Sequence, residues 1–300
     1  MKATPPLKPR AEANKLTTMM DVVLGGDRFD VGPVDVERLA IEYSSSTSPS
    51  SPIHEVVGKK ITGCAGALIF SKTLPRQWGI YYDESQSETR RRFTVAHELG
   101  HYVLHRQRIE SEEQYKDGIF CSEDSVIRGA GGDIESEADQ FAATLLMPLH
   151  DFRRQISAKE QVDFEKLGKI AKRYGVSLTA AVLRWLEYSE TRAMLVVSNE
   201  GFALWAKSSE AAFRSGRFLR TRNDVYELPA QAVATRGEYT EEALFGIHQR
   251  SGVWFDEPVF EMCLRSDKYD QELTILQFQD LGPKFQDEES VEDVFDRFQS

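Results

Sequence analysis

Residues 93 to 105 read Phe93-Thr-Val-Ala-His97-Glu98-Leu-Gly-His101-Tyr-Val-Leu-His105, and this stretch decides the interpretation of the chain. In an α-helix, residues four apart lie on one face, ~6 Å from each other along the axis. His97 and His101 would therefore reach one zinc ion, whose bonds to histidine nitrogen are about 2.0–2.1 Å long. Glu98 would lie beside the metal and take a proton from a water that the metal activates. The motif predicts a catalytic zinc helix.

A second apolar helix is predicted from residue 134 to residue 148, and it carries the candidate for a third ligand. Catalytic zinc sites have three protein ligands and one open position. If Ala138 faces the zinc helix, Glu135 lies beside the metal; the alternative is a solvated acid at a helix start. Asp139, one turn further, would accept a hydrogen bond from a ligand histidine. Glu137 lies roughly 200° round the helix from Glu135 and is predicted to face away.

His105 follows His101 by four residues and shares its stripe of the helix. Since two histidines and Glu135 already supply three protein ligands, His105 is interpreted as a structural residue or a support for a ligand. The group that stabilises the oxyanion stays open at this point, with Tyr102, His105 and the arginines at positions 90–92 as the alternatives.

Composition excludes several classes of protein. Three hundred residues suggest about two domains, and a net charge of −11 argues against broad, sequence-independent nucleic-acid binding. The cysteines Cys64, Cys121 and Cys263 are odd in number and lack metal-site spacing, so they are interpreted as free thiols of a reducing compartment. The N-terminus has no apolar leader, and the longest apolar run, 64–70, is too short to span a bilayer. A cytoplasmic protein with no membrane partner is expected.

The two helical stretches together resemble the ImmA/IrrE-type zinc metallopeptidases. Residues 91–105 are similar to the signature helix of that family, and residues 134–148 are similar to its second signature. The resemblance implies a site with one Zn²⁺ ion, the ligands His97, His101 and Glu135, and the catalytic base Glu98. The family usually has Asn at the position of Asp139.

The resemblance also implies a function. Family members are cytoplasmic proteases that cut helix-turn-helix repressors of phages, mobile elements or DNA-damage genes and so derepress the target genes. The expected function is thus a zinc endopeptidase with a helix-turn-helix repressor as its protein substrate. The alternative is a non-catalytic regulator or interaction protein, which binds a repressor or DNA or forms half of a toxin–antitoxin pair. Glu98 argues against the alternative, because a structural metal site needs no base and favours four protein ligands.

The predicted fold class is α+β, with a mainly helical, zincin-like peptidase core and a small β-sheet. Four segments are predicted: an N-terminal extension at 1–32, a metallopeptidase core at 33–150, a helix-turn-helix-like segment at 151–190 and a C-terminal α+β domain at 191–300. The helix-turn-helix-like segment carries five Lys/Arg and three Asp/Glu between Asp163 and Tyr188, so a packing or substrate-docking role is favoured over direct DNA binding. The position and composition of the last domain permit a sensor or interaction role.

Strand patterns complete the prediction. Residues 61–70 and 78–82 indicate a hairpin or a small sheet, and residues 107–133 indicate an extended loop. In the last domain, strands are predicted at 193–197, 201–206, 253–256, 259–264 and 273–278, with a helix at 241–245. An amphipathic helix is predicted at 291–298.

Overall fold

The computed structural model describes residues 7–61, 63–121, 133–221 and 224–280. The chain forms two compact units, Met1–Glu187 and Tyr188–Ser300. Helices and strands occur in both units, which confirms the predicted α+β class. The first two predicted segments and residues 151–187 of the third fall in the first unit, and the predicted boundaries at residues 32, 150 and 190 stay predictions. The predicted helix at 291–298 lies outside the described residues.

Helices dominate the first unit. They are α1 (Pro9–Leu24), α2 (Arg28–Val31), α3 (Val36–Thr47), α4 (Glu88–Ser111), α5 (Asp133–Leu146), α6 (Leu149–Gln155), α7 (Phe164–Tyr174) and α8 (Leu178–Tyr188), with a 3₁₀ turn at Glu113–Tyr115. The zinc-motif helix α4 and the second signature helix α5 form where their apolar patterns predict them. Both are needed for the site, since neither carries all of its polar groups.

A four-stranded sheet lies in the same unit, in the order β1-β3-β2-β4. Its strands are β1 (Ile53–Lys59), β2 (Gly66–Phe70), β3 (Trp78–Asp83) and β4 (Ile119–Cys121). The predicted hairpin is confirmed as the antiparallel pair β2–β3. The parallel strand β1 was not predicted. The predicted loop at 107–133 is wrong for residues 107–121, because α4 continues to Ser111 and β4 pairs with β2 at residues 119–121.

The close crossing of α4 and α5 positions the site. A Cβ atom on Gly100 would lie 3.1 Å from the Phe141 ring and 3.2 Å from Cα of Ala138, so the glycine lets the two helices approach closely. Leu99 and Leu145 are buried in the core of the unit. This packing explains why a residue that costs about 1 kcal/mol in a helix interior lies inside the motif.

Helices α7 and α8 are joined by a turn in which Gly175 adopts the left-handed conformation, with φ of 61°. The side chain of Arg92, in the first turns of α4, donates hydrogen bonds to the carbonyls of Gly175 (3.0 Å) and Tyr174 (3.3 Å). This cation near a helix N-terminus therefore has carbonyl partners that offset its unfavourable position. The contact ties the helix pair to the helix that carries the motif.

The second unit is built on an antiparallel sheet in the order β7-β6-β5-β10-β9-β8. Its strands are β5 (Ala193–Asn199), β6 (Phe202–Ser208), β7 (Tyr226–Glu227), β8 (Ile247–Gln249), β9 (Val259–Ser266) and β10 (Gln271–Phe278). Short helices accompany them: α9 (Glu210–Arg214), α10 (Val233–Arg236) and α11 (Glu241–Phe245). The strands predicted at 193–197, 201–206, 259–264 and 273–278 and the helix at 241–245 are confirmed.

The strand predicted at residues 253–256 is wrong. This segment forms turns and bends, in which the amide of Gly252 donates to the carbonyl of Phe255 (2.6 Å) and the amide of Val253 donates to the carbonyl of Arg250 (3.3 Å). Trp254 is nevertheless buried in an apolar cluster with Val196 and other core residues. The apolar residues of this segment correctly predicted that it packs against the core. Its backbone groups form hydrogen bonds within a turn, however, and do not pair with a strand.

Candidate metal centre

Helices α4 and α5 bring three predicted ligands together. Nε2 of His97 lies 3.0 Å from Nε2 of His101, and each of these nitrogens lies 3.3 Å from a carboxylate oxygen of Glu135. In tetrahedral zinc sites with bonds of about 2.0–2.1 Å, two nitrogen or oxygen ligands lie ~3.3–3.4 Å apart. The observed separations are close to this value, so the three side chains fit a zinc ion.

The Nδ1 atoms of His97 and His101 each contact a polar side chain, and these contacts orient the rings so that Nε2 faces the site. Nδ1 of His97 lies 2.9 Å from Oδ1 of Asp139, which matches the supporting position predicted for that acid. Nδ1 of His101 lies 3.1 Å from Nδ1 of His105, and Nε2 of His105 lies 2.7 Å from Oε2 of Glu137. Carboxylates placed in this way orient metal-binding histidines and raise their basicity. Both Nε2 atoms therefore face the candidate metal position.

The expected orientation of Glu137 is wrong. Glu135 and Glu137 both reach α4, one at His97 and His101 and the other at His105. Helix α5 crosses α4 at close range. Glu135 and Glu137 project from α5 in different directions, but each can still reach a different turn of α4. A helical wheel of α5 alone does not contain this information.

Charge at the site favours a cation. Burial opposes the charge of His97, but hydrogen bonds to Asp139 and Glu135 outweigh it and raise its pKa to about 10. Burial lowers the pKa of His101 to about 4, so this imidazole is neutral. Burial would raise the pKa of Glu135, yet its hydrogen bonds to the two histidines hold it well below its ordinary value. The same carboxylates that stabilise an imidazolium here would stabilise a bound metal ion.

Glu98 is fully buried beside these groups. Within the described parts of the chain, neither of its carboxylate oxygens has a partner at hydrogen-bond geometry, and the thiol of Cys121 is the group that approaches it. Burial raises the pKa of Glu98 to about 7; the charge of His97 and the thiol of Cys121 oppose this shift, and the charge of Glu135 adds to it. An acid that is buried without a partner costs stability, which makes it a candidate for chemistry rather than architecture.

Strand β2 approaches Glu98 at Gly66. A Cβ atom at this position would lie 2.6 Å from Oε1 of Glu98 and 2.4 Å from Cγ2 of Thr94. Only glycine allows the strand and the helix to lie this close without a shift. The first residue of β2 thus helps to fix where the carboxylate lies.

Cys121 also belongs to this cluster, and the sequence interpretation missed it. Its Sγ atom lies 3.6 Å from Nε2 of His101 and 4.0 Å from Oε1 of Glu135. The donor atoms of His97, His101, Glu135 and Cys121 all lie within 4.8 Å of one another. Cys121 lacks any spacing signal, since it stands twenty residues after His101 in a stretch that was predicted to be a loop. The sequence offered one reason to consider Cys121 as a ligand, namely that cysteine sulfur commonly binds zinc.

Tyr102 and two of the three arginines among the alternatives for an oxyanion group are engaged elsewhere. The hydroxyl of Tyr102 donates to the carbonyl of Ser51 (2.7 Å) and accepts from Arg106 (2.8 Å). Arg92 is bound to the turn at Gly175, and Arg91 lies 3.5 Å from Glu37. The third alternative, His105, contacts His101 and Glu137. None of these contacts directs a donor to the space beside Glu98.

The fold and the cluster together define an α+β protein with a His/Glu/Cys cluster that could hold a metal ion. Residues 66–186 match the peptidase family M78, described as the IrrE N-terminal-like domain. The chain therefore carries an IrrE N-terminal-like domain over these residues, which supports an ImmA/IrrE-type family. None of the curated proteins matches the chain.

Solved structures share the fold. One of them is a Mycobacterium tuberculosis transcriptional regulator, which is 13% identical in sequence, with a TM-score of 0.51. The likeness covers 90% of this chain and 76% of the regulator, and at this identity it shows the fold alone. Among the described residues, no helix combines the length and the apolar character needed to cross a bilayer.

Proposed function

We propose that the chain is a zinc-dependent endopeptidase. The observation that carries this proposal is Glu98, a buried carboxylate without a hydrogen-bond partner in the described chain, beside three side chains with the separations of a zinc site. His97, His101 and Glu135 would hold the ion. When bound, zinc supplies Lewis acidity, which makes water easier to deprotonate and a peptide carbonyl easier to attack.

Glu98 has the properties of a general base and acid. Its raised pKa places the carboxyl near the point where it both accepts and releases a proton at neutral pH. It would take a proton from the attacking water and deliver it to the amine that leaves. Asp139 and the pair His105–Glu137 would keep the ligand histidines in the required tautomers.

The finer proposal is that the substrate is a helix-turn-helix repressor. The support is the family, together with the helix pair α7–α8, which Arg92 ties to the motif helix. Most basic side chains of this pair have local partners: Lys166 with Glu160, Lys169 with Glu165, Arg173 with Asp151 and Asp30, and Arg184 with Glu187. Their charge is largely neutralised, so docking of a protein is favoured over direct DNA binding.

The experiment combines metal analysis with a cleavage assay. The chain is co-expressed with small helix-turn-helix proteins encoded beside its gene, and their cleavage is followed for wild type, Glu98→Gln and Glu110→Gln. Loss of a general base lowers rates by about 10²–10⁴-fold, so Glu98→Gln should keep one zinc per chain and lose cleavage. Glu110, exposed on the same helix, is the matched control and should cleave like wild type. If Glu98→Gln cleaved as fast as wild type, Glu98 would not be the general base and the proposed mechanism would be wrong.

A second candidate is a non-catalytic regulator with a structural metal. The observation that favours it is Cys121, because structural zinc sites have four protein ligands, whereas catalytic sites keep one position open. Zinc content without cleavage in any variant, including variants of Cys121, would support this reading. Glu98 favours the enzyme, since a structural site has no use for a buried carboxylate without a partner.

A further inference from the structure

The thiol of Cys121 lies within 4.8 Å of the other three donor atoms, close enough to become a fourth metal ligand after a small side-chain movement. Zinc bonds of about 2.3 Å to sulfur and 2.0–2.1 Å to nitrogen place such atoms ~3.6 Å apart in a tetrahedron. The Sγ of Cys121 lies 3.6 Å from Nε2 of His101, and its 4.0 Å separation from Oε1 of Glu135 needs only a small side-chain shift to close. The side chain is 1% exposed, so the sulfur faces the cluster and not the solvent.

The backbone holds Cys121 in this place. It is the last residue of β4 and pairs with Gly66 of β2, and its carbonyl accepts a hydrogen bond from the amide of Ala65 (2.8 Å). Gly66 also lies against Glu98, since a Cβ atom on Gly66 would be 2.6 Å from Oε1 of Glu98. The sulfur therefore lies on the side of the cluster where Glu98 is found. This is the side on which a peptidase must admit water if Glu98 is its base.

We propose that Cys121 is a fourth protein ligand that closes the metal site and keeps the peptidase partly latent, so that only molecules whose thiol has left the metal cleave. The inference rests on the proposed function. A thiolate in the fourth position leaves no place for water or a peptide carbonyl, and Glu98 then has nothing to deprotonate. The arrangement reconciles a four-ligand cluster, typical of structural sites, with a buried base, which only a catalytic site needs.

Cys64 provides the matched control. It is a second buried thiol in the same unit, and its Sγ atom contacts the carbonyl oxygens of Gly66 (2.6 Å) and Cys121 (3.3 Å). Its thiol is thus occupied by backbone acceptors next to the cluster. Serine at this position keeps a donor for the same acceptors and leaves the four ligand candidates intact.

The test uses the full chain loaded with cobalt(II), whose absorption reports on its ligands. Wild type and Cys64→Ser should both show a sulfur-to-cobalt charge-transfer band, and Cys121→Ser should lose the band while it still binds one cobalt. The cobalt affinity of Cys121→Ser should fall about tenfold or more, because a ligand is lost. Acetohydroxamate, a small chelator of open metal positions, should change the spectrum of Cys121→Ser and leave that of wild type unchanged.

The outcomes separate the two proposals. A wild-type spectrum without a sulfur band, changed by acetohydroxamate as strongly as that of Cys121→Ser, overturns the role of Cys121 and leaves the three-ligand site standing. Failure of wild type and of both variants to bind cobalt overturns the metal centre itself. Peptide cleavage that is faster in Cys121→Ser than in wild type and Cys64→Ser supports latency, and equal cleavage by all three overturns it.

Discussion

Glu98 in the first unit and Glu261 in the second are both fully buried carboxylates, and burial raises the pKa of each. They differ in what surrounds them. Glu261 accepts hydrogen bonds from the amide of Val233 (2.9 Å) and from Nε2 of Gln249 (2.6 Å), whereas Glu98 has no such partner in the described residues. Burial alone therefore does not identify a functional acid. A buried acid that the protein leaves unsatisfied is the informative case.

A third buried carboxylate extends the comparison. Asp151 of α6 is fully buried and accepts two hydrogen bonds from Arg173 (2.8 and 2.9 Å) and one from the hydroxyl of Tyr174 (2.8 Å). Burial opposes its ionisation, but these bonds and the charge of Arg173 outweigh burial and lower its pKa. Three acids with the same exposure thus have three different environments, and each environment predicts a different response to substitution.

The largest effect is expected at Asp151. Asp151→Ala leaves Arg173 partly buried without its main partner, and loss of one member of a buried pair costs about 3–5 kcal/mol of unfolding free energy. Urea denaturation of the first unit's transition at pH 7 measures it. Asp30→Ala is the control, because this exposed acid contacts the same arginine at 2.6 Å and should cost less than about 1 kcal/mol.

The pH dependence of the Asp151 effect has a definite sign. Because the pKa of Asp151 is lowered in the folded chain, its stabilisation is fully present above the unfolded pKa of about 3.9. It is lost as the pH falls through the folded pKa. The stability gap between wild type and Asp151→Ala should therefore shrink below about pH 4. A gap that stays constant down to pH 2 would show that packing, and not the ion pair, is responsible.

An intermediate effect is expected at Gly66. In Gly66→Ala the new methyl group would meet Oε1 of Glu98 at 2.6 Å and Thr94 at 2.4 Å, so the carboxylate or the strand must move. A displacement of about 1 Å near reacting groups costs roughly 100-fold in rate. If the chain is the proposed peptidase, its rate of peptide cleavage should fall by that factor with metal content unchanged. Gly168→Ala, in an open part of α7, should cleave at the wild-type rate; equal losses in both variants would discount the contact with Glu98.

The smallest effect is expected at Glu261. The amide of Glu261→Gln keeps the shape of the side chain, and the change in unfolding free energy at pH 7 should stay within about 1 kcal/mol. Since the folded pKa of Glu261 is raised, wild type is favoured at pH values below the unfolded pKa and loses this advantage as the pH rises through the folded pKa. Denaturation at pH 4.5 and pH 8 should show wild type gaining on the variant at the lower pH. The opposite trend would mean that Glu261 prefers to be ionised.

Much of the candidate site could be predicted because its signals are local. The four-residue spacing of His97 and His101 needs only the geometry of one helix. The placement of Glu135 and Asp139 needed one further assumption, that the small residue Ala138 faces the motif helix, and the contact between Ala138 and Gly100 agrees with it. The fold class and most strands of the second unit follow from apolar patterns in the same way.

Other features could not be predicted because they depend on contacts between distant segments. The orientation of Glu137 depends on how α4 and α5 cross. Residues 253–256 do not form the predicted strand because turn hydrogen bonds replace strand pairing there. Cys121 joins the cluster because β4 pairs with β2, a register that no pattern within residues 107–121 reveals.

The sequence by itself determined that His97 and His101 lie on one helical face with Glu98 beside them, since helical periodicity is a property of the local chain. Only the tertiary structure decided that Glu98 is fully buried and that the thiol of Cys121 lies among the candidate ligands. Both depend on β2 and β4 packing over α4, and such packing is a property of the assembled core.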